Sequence, residues 1–365
     1  MVAKPFAAVF SEEIEPLGMI MGINLVTNRL DTSTKTVLKT RVAAKLHGCP
    51  ETAPLLRALY QGPSAAVPPP SYPPPTEGNV KLCEPLVHAT DIDPRMVDNV
   101  VDYNSFNPMG FGDSAFNLSI SPERATALYT LPSLFNHACR YAANASWHCL
   151  GDVIVIRAAT DISAGEEITI PYASGETYLE REQQLGAFLP QGCDCSQCEA
   201  DRLDGRASCM RRKSLVEQRR QISKKNSQAR KSHSRASVNA PEQLARDMGL
   251  TYTVSRKALR SSMFWPFKDL MDFHLRDAFR LNDRDLMRKS IPYGYNALES
   301  VGLRQVPPSA SPPSSYSLPV EKRLFGAQEG VDPCVMLMVE LSFTLYATGD
   351  SVGGKRWRRA AWWRM

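Results

Sequence analysis

Three cysteines fall within six residues, Cys193-Asp194-Cys195-Ser196-Gln197-Cys198. Thiols this close are an oxidation hazard unless something binds them, and tetrahedral Zn²⁺ held by four thiolates accounts for the spacing. The segment supplies three ligands; Cys139, Cys149 and Cys209 are candidates for the fourth. A second group stands upstream at Asn136-His137-Ala138-Cys139, a polar pair and a thiol after an apolar run. Alone, a histidine in that position is more often a satisfied core residue than a ligand. The third group is Tyr172, at the end of Glu167-Ile168-Thr169-Ile170-Pro171. Alternation puts Ile168, Ile170 and Tyr172 on one face of a strand, with the hydroxyl at the end of an apolar stripe. By periodicity alone this is an ordinary strand-end tyrosine, its ring in the core and its hydroxyl wet.

The elements that must position these groups are readable in outline. Asp152 to Ala158 has the length and β-branched content of a strand, and Ser163-Ala164-Gly165 supplies a turn before the tyrosine strand. A helix is predicted from Glu176 to Phe188, just ahead of the cysteine cluster. Val2 to Phe10 is a short β-like run. Cys49 to Tyr60 reads as a helix capped by Thr52, with Leu55, Leu56, Leu59 and Tyr60 on one face. A proline-rich insertion covers 62–76. Asp93 and Pro94 open a further helix with Met96, Val97, Val100 and Val101 inward, running into Asn104-Ser105-Phe106. Ser255 to Lys289 and Val331 to Ala347 are helical in pattern, the latter with a seam of Cys334, Met338, Leu341 and Leu345. A second proline break runs from Pro307 to Pro319.

Composition narrows the class. The chain has 365 residues, 43% apolar, enough for two domains and a sizeable core. Nine cysteines without a charged and apolar leader in Met1 to Phe10 point to metal binding in a reducing compartment rather than a disulfide framework. No run of eighteen apolar residues exists, so no membrane span is expected. Net charge is +5, concentrated in 202–235, where a dozen Lys and Arg face only Asp204 and Glu217. That stretch suits a nuclear localisation signal or a weak nucleic-acid contact; the plainer reading is a solvated flexible linker. The basic, aromatic tail 351–365 is expected to be unfolded.

Four pieces in order, Asn136-His137-x-Cys139, Gly165-Glu166-Glu167-Ile168-Thr169-Ile170-x-Tyr172, an acidic-basic helix and Cys-x-Cys-x-x-Cys, resemble the C-terminal half of a SET domain with its post-SET cysteines. The likeness is to the split-SET, SMYD-like branch of protein lysine methyltransferases, and Asn104-Ser105-Phe106 widens it to roughly residues 1–200. The resemblance implies an α+β fold: SET-domain β-sheets with a helical insertion (1–175), a zinc-bound post-SET segment (176–200), a basic linker (201–240) and a helical C-terminal region (241–350). It further implies transfer of a methyl group from S-adenosyl-L-methionine to a lysine of a protein substrate, a histone tail or another, in the nucleus or cytoplasm. Asn136 and His137 would bind the cofactor, Tyr172 would be catalytic, and Cys139 would join Cys193, Cys195 and Cys198 around Zn²⁺. Tyr129 would line the cofactor or lysine channel.

The chain departs from the pattern at three points. Ala138 replaces a serine. Asn144 lies five residues after Cys139 where the family has three. A glycine-bearing opening strand is not found, and Gly110-Phe111-Gly112 stands too late in the order to replace it. The chain therefore looks like a fragment, and weak or no activity is expected of it as it stands. The alternative is a catalytically inactive, zinc-stapled SET-like interaction module.

Overall fold

The structure, a computed structural model, describes residues 1–10, 22–24, 29–31, 33–63, 93–106, 125–150, 153–173, 175–231, 239–256, 258–303, 318–320 and 333–364. Gly110-Phe111-Gly112, the proline insertion beyond Pro63, His88 and most of the Pro307–Pro319 break lie outside them.

The described strands are β1 (Val2–Ala3), β2 (Ala7–Phe10), β3 (Gly22–Asn24), β4 (Arg29–Asp31), β5 (Ser105–Phe106), β6 (Ala125–Leu128), β7 (Asn136–His137), β8 (Ala145–Leu150), β9 (Val153–Ala158) and β10 (Thr169–Ile170). They form small sheets: β1-β9-β8 and β2-β6-β5, both antiparallel, the β3-β4 hairpin, and the parallel pair β7-β10. The β9 strand is the predicted apolar run. The tyrosine strand is shorter than alternation predicts: only Thr169 and Ile170 pair, Ile170 is buried, and Ile168 and Tyr172 are exposed. Pro171 explains the stop, because it has no N–H to continue the ladder.

The helices before the site are α1 (Thr34–Gly48), α2 (Ala53–Arg57) and α3 (Pro94–Asn104). Asp93 caps α3 by accepting from the Arg95 N–H at 2.9 Å, and Pro94 fills the first position. Met96, Val97, Val100 and Val101 pack on Val37, Leu38, Val42 and Leu46 of α1, as their spacing predicts. The α1 helix itself is not evident in the sequence, because lysines interleave its apolar positions. Those lysines are used locally: the buried Lys39 reaches Asp98 at 2.6 Å and Asp102 at 3.0 Å on α3. In α2, Leu56 is buried but Leu55 is exposed, and the Thr52 hydroxyl donates to the Cys49 carbonyl instead of capping.

After the site come α4 (Tyr178–Leu185), α5 (Ser196–Leu203), α6 (Arg206–Lys231), α7 (Asn239–Gly249), α8 (Phe264–Leu281), α9 (Arg284–Ser300), α10 (Pro333–Ala347) and α11 (Ser351–Arg364). Two expectations are corrected here. The basic stretch is not a flexible linker but the long helix α6, because its arginines meet acids on neighbouring elements. Arg212 is buried against Asp201 and Asp204, Arg219 reaches Glu176 at 3.3 Å, and Arg220 reaches Glu180 at 2.7 Å. The tail is likewise not unfolded. As α11 it buries Trp357, Ala360 and Ala361 with Leu337, Met338 and Leu341 of α10 and Leu298 of α9. The Trp357 ring stacks on Tyr295 at 5.5 Å between centroids. A single helical pattern from Ser255 to Lys289 resolves into α8 and α9, separated where Asn282 takes a left-handed φ of 51° and Asp283 caps the next helix.

With small sheets, an inserted helical layer and a helical C-terminal region, the fold is α+β. Removing the Trp357 indole from this core is expected to destabilise the chain. Trp357→Ala should cost about 3–5 kcal/mol in denaturant titration, whereas an unfolded tail would leave the midpoint unmoved.

Candidate functional site

The site is organised by the parallel pairing of β7 with β10, in which Asn136 lies opposite Thr169 and His137 opposite Ile170. Parallel strands need a crossover, and here the β8-β9 hairpin supplies it. Asn144 fixes the approach to β10. Its side-chain oxygen accepts from the Thr169 N–H at 2.8 Å, and its amide donates to the Glu167 carbonyl at 2.8 Å and the Glu166 carboxylate at 3.0 Å. The shifted asparagine is thus the clamp on the Gly165-Glu166-Glu167 turn. Sequence reading noted its displacement but not this role.

Tyr172 follows directly. Its N–H donates to Nδ1 of His137 at 2.9 Å, and its hydroxyl donates to the Phe135 carbonyl. Its ring stands 5.1 Å from the His137 ring and 5.8 Å from Phe188. About a third of the Tyr172 surface stays open to solvent, but its hydroxyl is turned inward onto the Phe135 carbonyl. Desolvation there, and after it the Glu167 carboxylate, push the phenol up to about 12, so the hydroxyl stays protonated at neutral pH. Asn136 donates to the Glu167 carboxylate at 2.5 Å.

Tyr172, Asn136 and His137 line one cavity of about 820 Å³. Tyr60, Tyr103, Phe106, Trp147 and Phe188 give it aromatic walls, and Glu167 and Asp194 add carboxylates; no Lys or Arg is among its described lining residues. The rings meet edge to face, Tyr60 on Tyr103 at 5.3 Å and Tyr103 on Phe188 at 5.7 Å. The approach is tight at Gly62, whose φ is +89° and where a Cβ would sit 2.3 Å from the Tyr103 ring. Asn104 holds the same wall, donating to the Tyr60 carbonyl at 2.7 Å. Such a cavity suits a cationic, partly apolar occupant. Tyr129 does not reach it: the side chain is fully buried in the sheet core, edge-on to Phe106.

Beside the cavity the Sγ atoms of Cys139, Cys193, Cys195 and Cys198 lie within 4.8 Å of one another. Zn²⁺ with thiolates at about 2.3 Å sets sulfurs about 3.8 Å apart, so the four could close a tetrahedron with little movement. Gly192, at φ +85°, makes the turn into the cluster, and Cys195 stands at the N-cap of α5, where the helix end favours a thiolate. Hydrogen bonding, first with Cys139, brings Cys195 down to about 6 and holds Cys193 well below the thiol range, while contact with Cys193 chiefly pushes Cys139 up. The four thiols cannot all ionise at this spacing without a cation among them. Of the rival fourth ligands, Cys209 instead donates to the Asp201 carbonyl at 3.2 Å, and the Cys149 side chain is outside the described residues.

Arg181 lies 4.0 Å from the Cys198 sulfur and 2.5 Å from Asp201, fully buried. Burial alone would lower its guanidinium, but Cys139, Asp201 and Cys198 hold it above its usual range. Asp201 also receives Arg212 at 2.7 Å and Arg256 at 2.9 Å, which ties the cysteine cluster to the C-terminal helices.

Residues 41–173 match the family model described as the SET domain. This segment is a SET domain. A stretch of 102 residues is 33% identical to mouse protein-lysine N-methyltransferase SMYD4, covering 27% of this chain and 12% of that protein's length. The residues ahead of the matched segment are part of its sheets: β1 pairs with β9 and β2 with β6. The SMYD-like likeness carried by the Asn-His and Gly-Glu-Glu motifs holds. Of the pieces outside the matched segment, Cys193, Cys195 and Cys198 are brought by α4 and α5 against Cys139 of that segment.

The cavity's aromatic walls were missed in the sequence because Tyr60, Tyr103 and Phe188 come from three separate segments with no shared motif. The Arg181–Asp201 contact was equally hidden, although Arg181 sits in a predicted helix and Asp201 three residues beyond the last cysteine. Neutralising Asp201 removes the partner shared by the buried Arg181 and Arg212 and the half-buried Arg256. Asp201→Asn is therefore expected to cost about 3–5 kcal/mol of stability, read by chemical denaturation; a loss within the scatter of surface changes would show that the network is not a fold-determining contact.

Proposed function

We propose that this chain is a protein-lysine N-methyltransferase dependent on S-adenosyl-L-methionine, with Zn²⁺ held by Cys139, Cys193, Cys195 and Cys198. One observation carries this reading: Asn136, His137 and Tyr172 converge on a single aromatic, carboxylate-bearing cavity beside a four-thiol cluster. The cavity is large enough for a cofactor-sized ligand, and its π faces and carboxylates suit a sulfonium and an alkylammonium alike.

When bound, the cofactor supplies an electrophilic methyl group on a sulfonium. The protein's share is placement and exclusion of water. Tyr60, Tyr103, Phe106 and Phe188 form an aromatic wall that would take water from a substrate amine and so favour the uncharged form a nucleophilic attack requires. Tyr172, kept protonated, is a hydrogen-bonding and orienting group rather than a base. Asn136 and the backbone around His137 would hold the cofactor, with Glu167 keeping the Asn136 amide in place. The substrate amine would lose its proton to solvent before it could accept the methyl group that the cofactor supplies. The substrate is a lysine-bearing protein, a histone tail or another, met in the nucleus or cytoplasm.

Two measurements test this. A radiolabelled-methyl assay on histones and cell lysate should show transfer that falls at least about 100-fold in Tyr172→Phe, with the fold intact by circular dichroism. Equal labelling by the two proteins would remove Tyr172 from the chemistry, and no labelling by either would favour an interaction module. Elemental analysis should find one zinc per chain, and stripping it with a chelator should lower the thermal midpoint and abolish transfer. A zinc-free chain with unchanged stability would refute the metal assignment.

A further inference from the structure

His137 is used at both ring nitrogens. Nδ1 accepts the Tyr172 N–H at 2.9 Å, and an amide N–H can only donate, so Nδ1 carries the lone pair. The proton of the neutral ring is then on Nε2, which lies 3.5 Å from the Sγ of Cys139. Cys139 is fully buried and belongs to the four-thiol cluster. A ring whose N–H points at a ligating sulfur, and whose other nitrogen is fixed by a second partner, has both its tautomer and its orientation set. The second partner here is the backbone of the proposed catalytic tyrosine.

We infer that the His137 side chain is a positioning residue that couples metal loading of the cysteine cluster to the placement of Tyr172. This rests on the reading above, that the cluster binds zinc and Tyr172 serves methyl transfer. It adds a function for the imidazole distinct from contact with cofactor. With metal bound, the Sγ of Cys139 would be fixed as an acceptor for Nε2–H, the ring would be held, and Nδ1 would stay aligned with the Tyr172 amide. Without metal, Cys139 is free to move, the ring loses one anchor, and the amide of Tyr172 loses its acceptor. The phenol, which donates to the Phe135 carbonyl, then shifts with its backbone.

Two conservative variants separate the ends of the bridge. His137→Asn keeps an acceptor near the Nδ1 position but no longer reaches Cys139. His137→Gln keeps a donor near the Nε2 position but no acceptor for the Tyr172 amide. The full chain and both variants are titrated with zinc against a chromophoric chelator, and amide exchange is followed over the segment containing Tyr172, with and without metal. His137→Asn should weaken zinc binding about 10–100-fold, and His137→Gln should weaken it less. In the unaltered chain, stripping zinc should speed exchange at Tyr172. In His137→Gln that exchange should already be fast, and stripping should add nothing. Zinc affinity unchanged in both variants overturns the inference. So does exchange at Tyr172 in the unaltered chain that ignores the metal, a measurement needing no variant. An unaltered chain that binds no zinc overturns the functional reading itself, and that result is read before any substitution is made.

Discussion

The parallel pairing of Asn136-His137 with Thr169-Ile170 is the constraint on which the site depends. The pair is only two residues long on each side, so its own hydrogen bonds are too few to hold two segments so distant in sequence. Other contacts do that work. Asn144 grips the turn before β10, Trp147 donates to the Pro171 carbonyl at 3.3 Å, and the His137 ring accepts the Tyr172 N–H. Each of these groups is polar and reaches the backbone, and each acts within a few residues of Tyr172. Register is therefore set by side chains that reach across, not by the ladder. That explains how so short a strand can place a phenol.

The same logic extends outward. The cavity wall opposite Tyr172 comes from α3 and from the loop at Tyr60, held by Asn104 and by the close fit of Gly62 on Tyr103. Phe188, from the segment after α4, touches both Tyr103 and Tyr172. Aromatic contacts thus run from α3 through Phe188 to Tyr172, which follows β10. The aromatic wall of the cavity keeps its shape because its rings pack on one another.

How much of this was legible follows from whether a feature is local. The cap and apolar face of α3, the β9 strand and the cysteine spacing are written in adjacent residues, and the structure returns them. The strand before Tyr172 was overextended in sequence because alternation ignores what Pro171 does to the ladder. The basic stretch was taken for a linker because composition shows charge and not partners. Its arginines lie on one helix, while Glu176, Asp201 and Asp204, which fold it, lie upstream. The tail failed in the same way: a run of arginines with tryptophans looks solvated until Tyr295 and α10 provide a surface. Motif resemblance carried the site further than periodicity could, since neither Tyr172 nor His137 stands out from core residues by pattern alone.

The charges beneath the cysteine cluster suit an anionic group among the thiols. Arg181 and Arg212 are buried, Arg256 is half-buried beside them, and in this network the three face two carboxylates, Asp201 and Asp204. One guanidinium is left over. A buried, uncompensated cation is costly, so the surplus must be answered by something close. The arginine nearest the thiols is Arg181, and its guanidinium lies against Cys198. Cys193 and Cys195, held below the usual thiol range, put negative charge on that side of the guanidinium, and thiolates around Zn²⁺ would do the same. The acids and arginines around α4, α5 and α6 are thus compatible with an anionic thiolate cluster at this place.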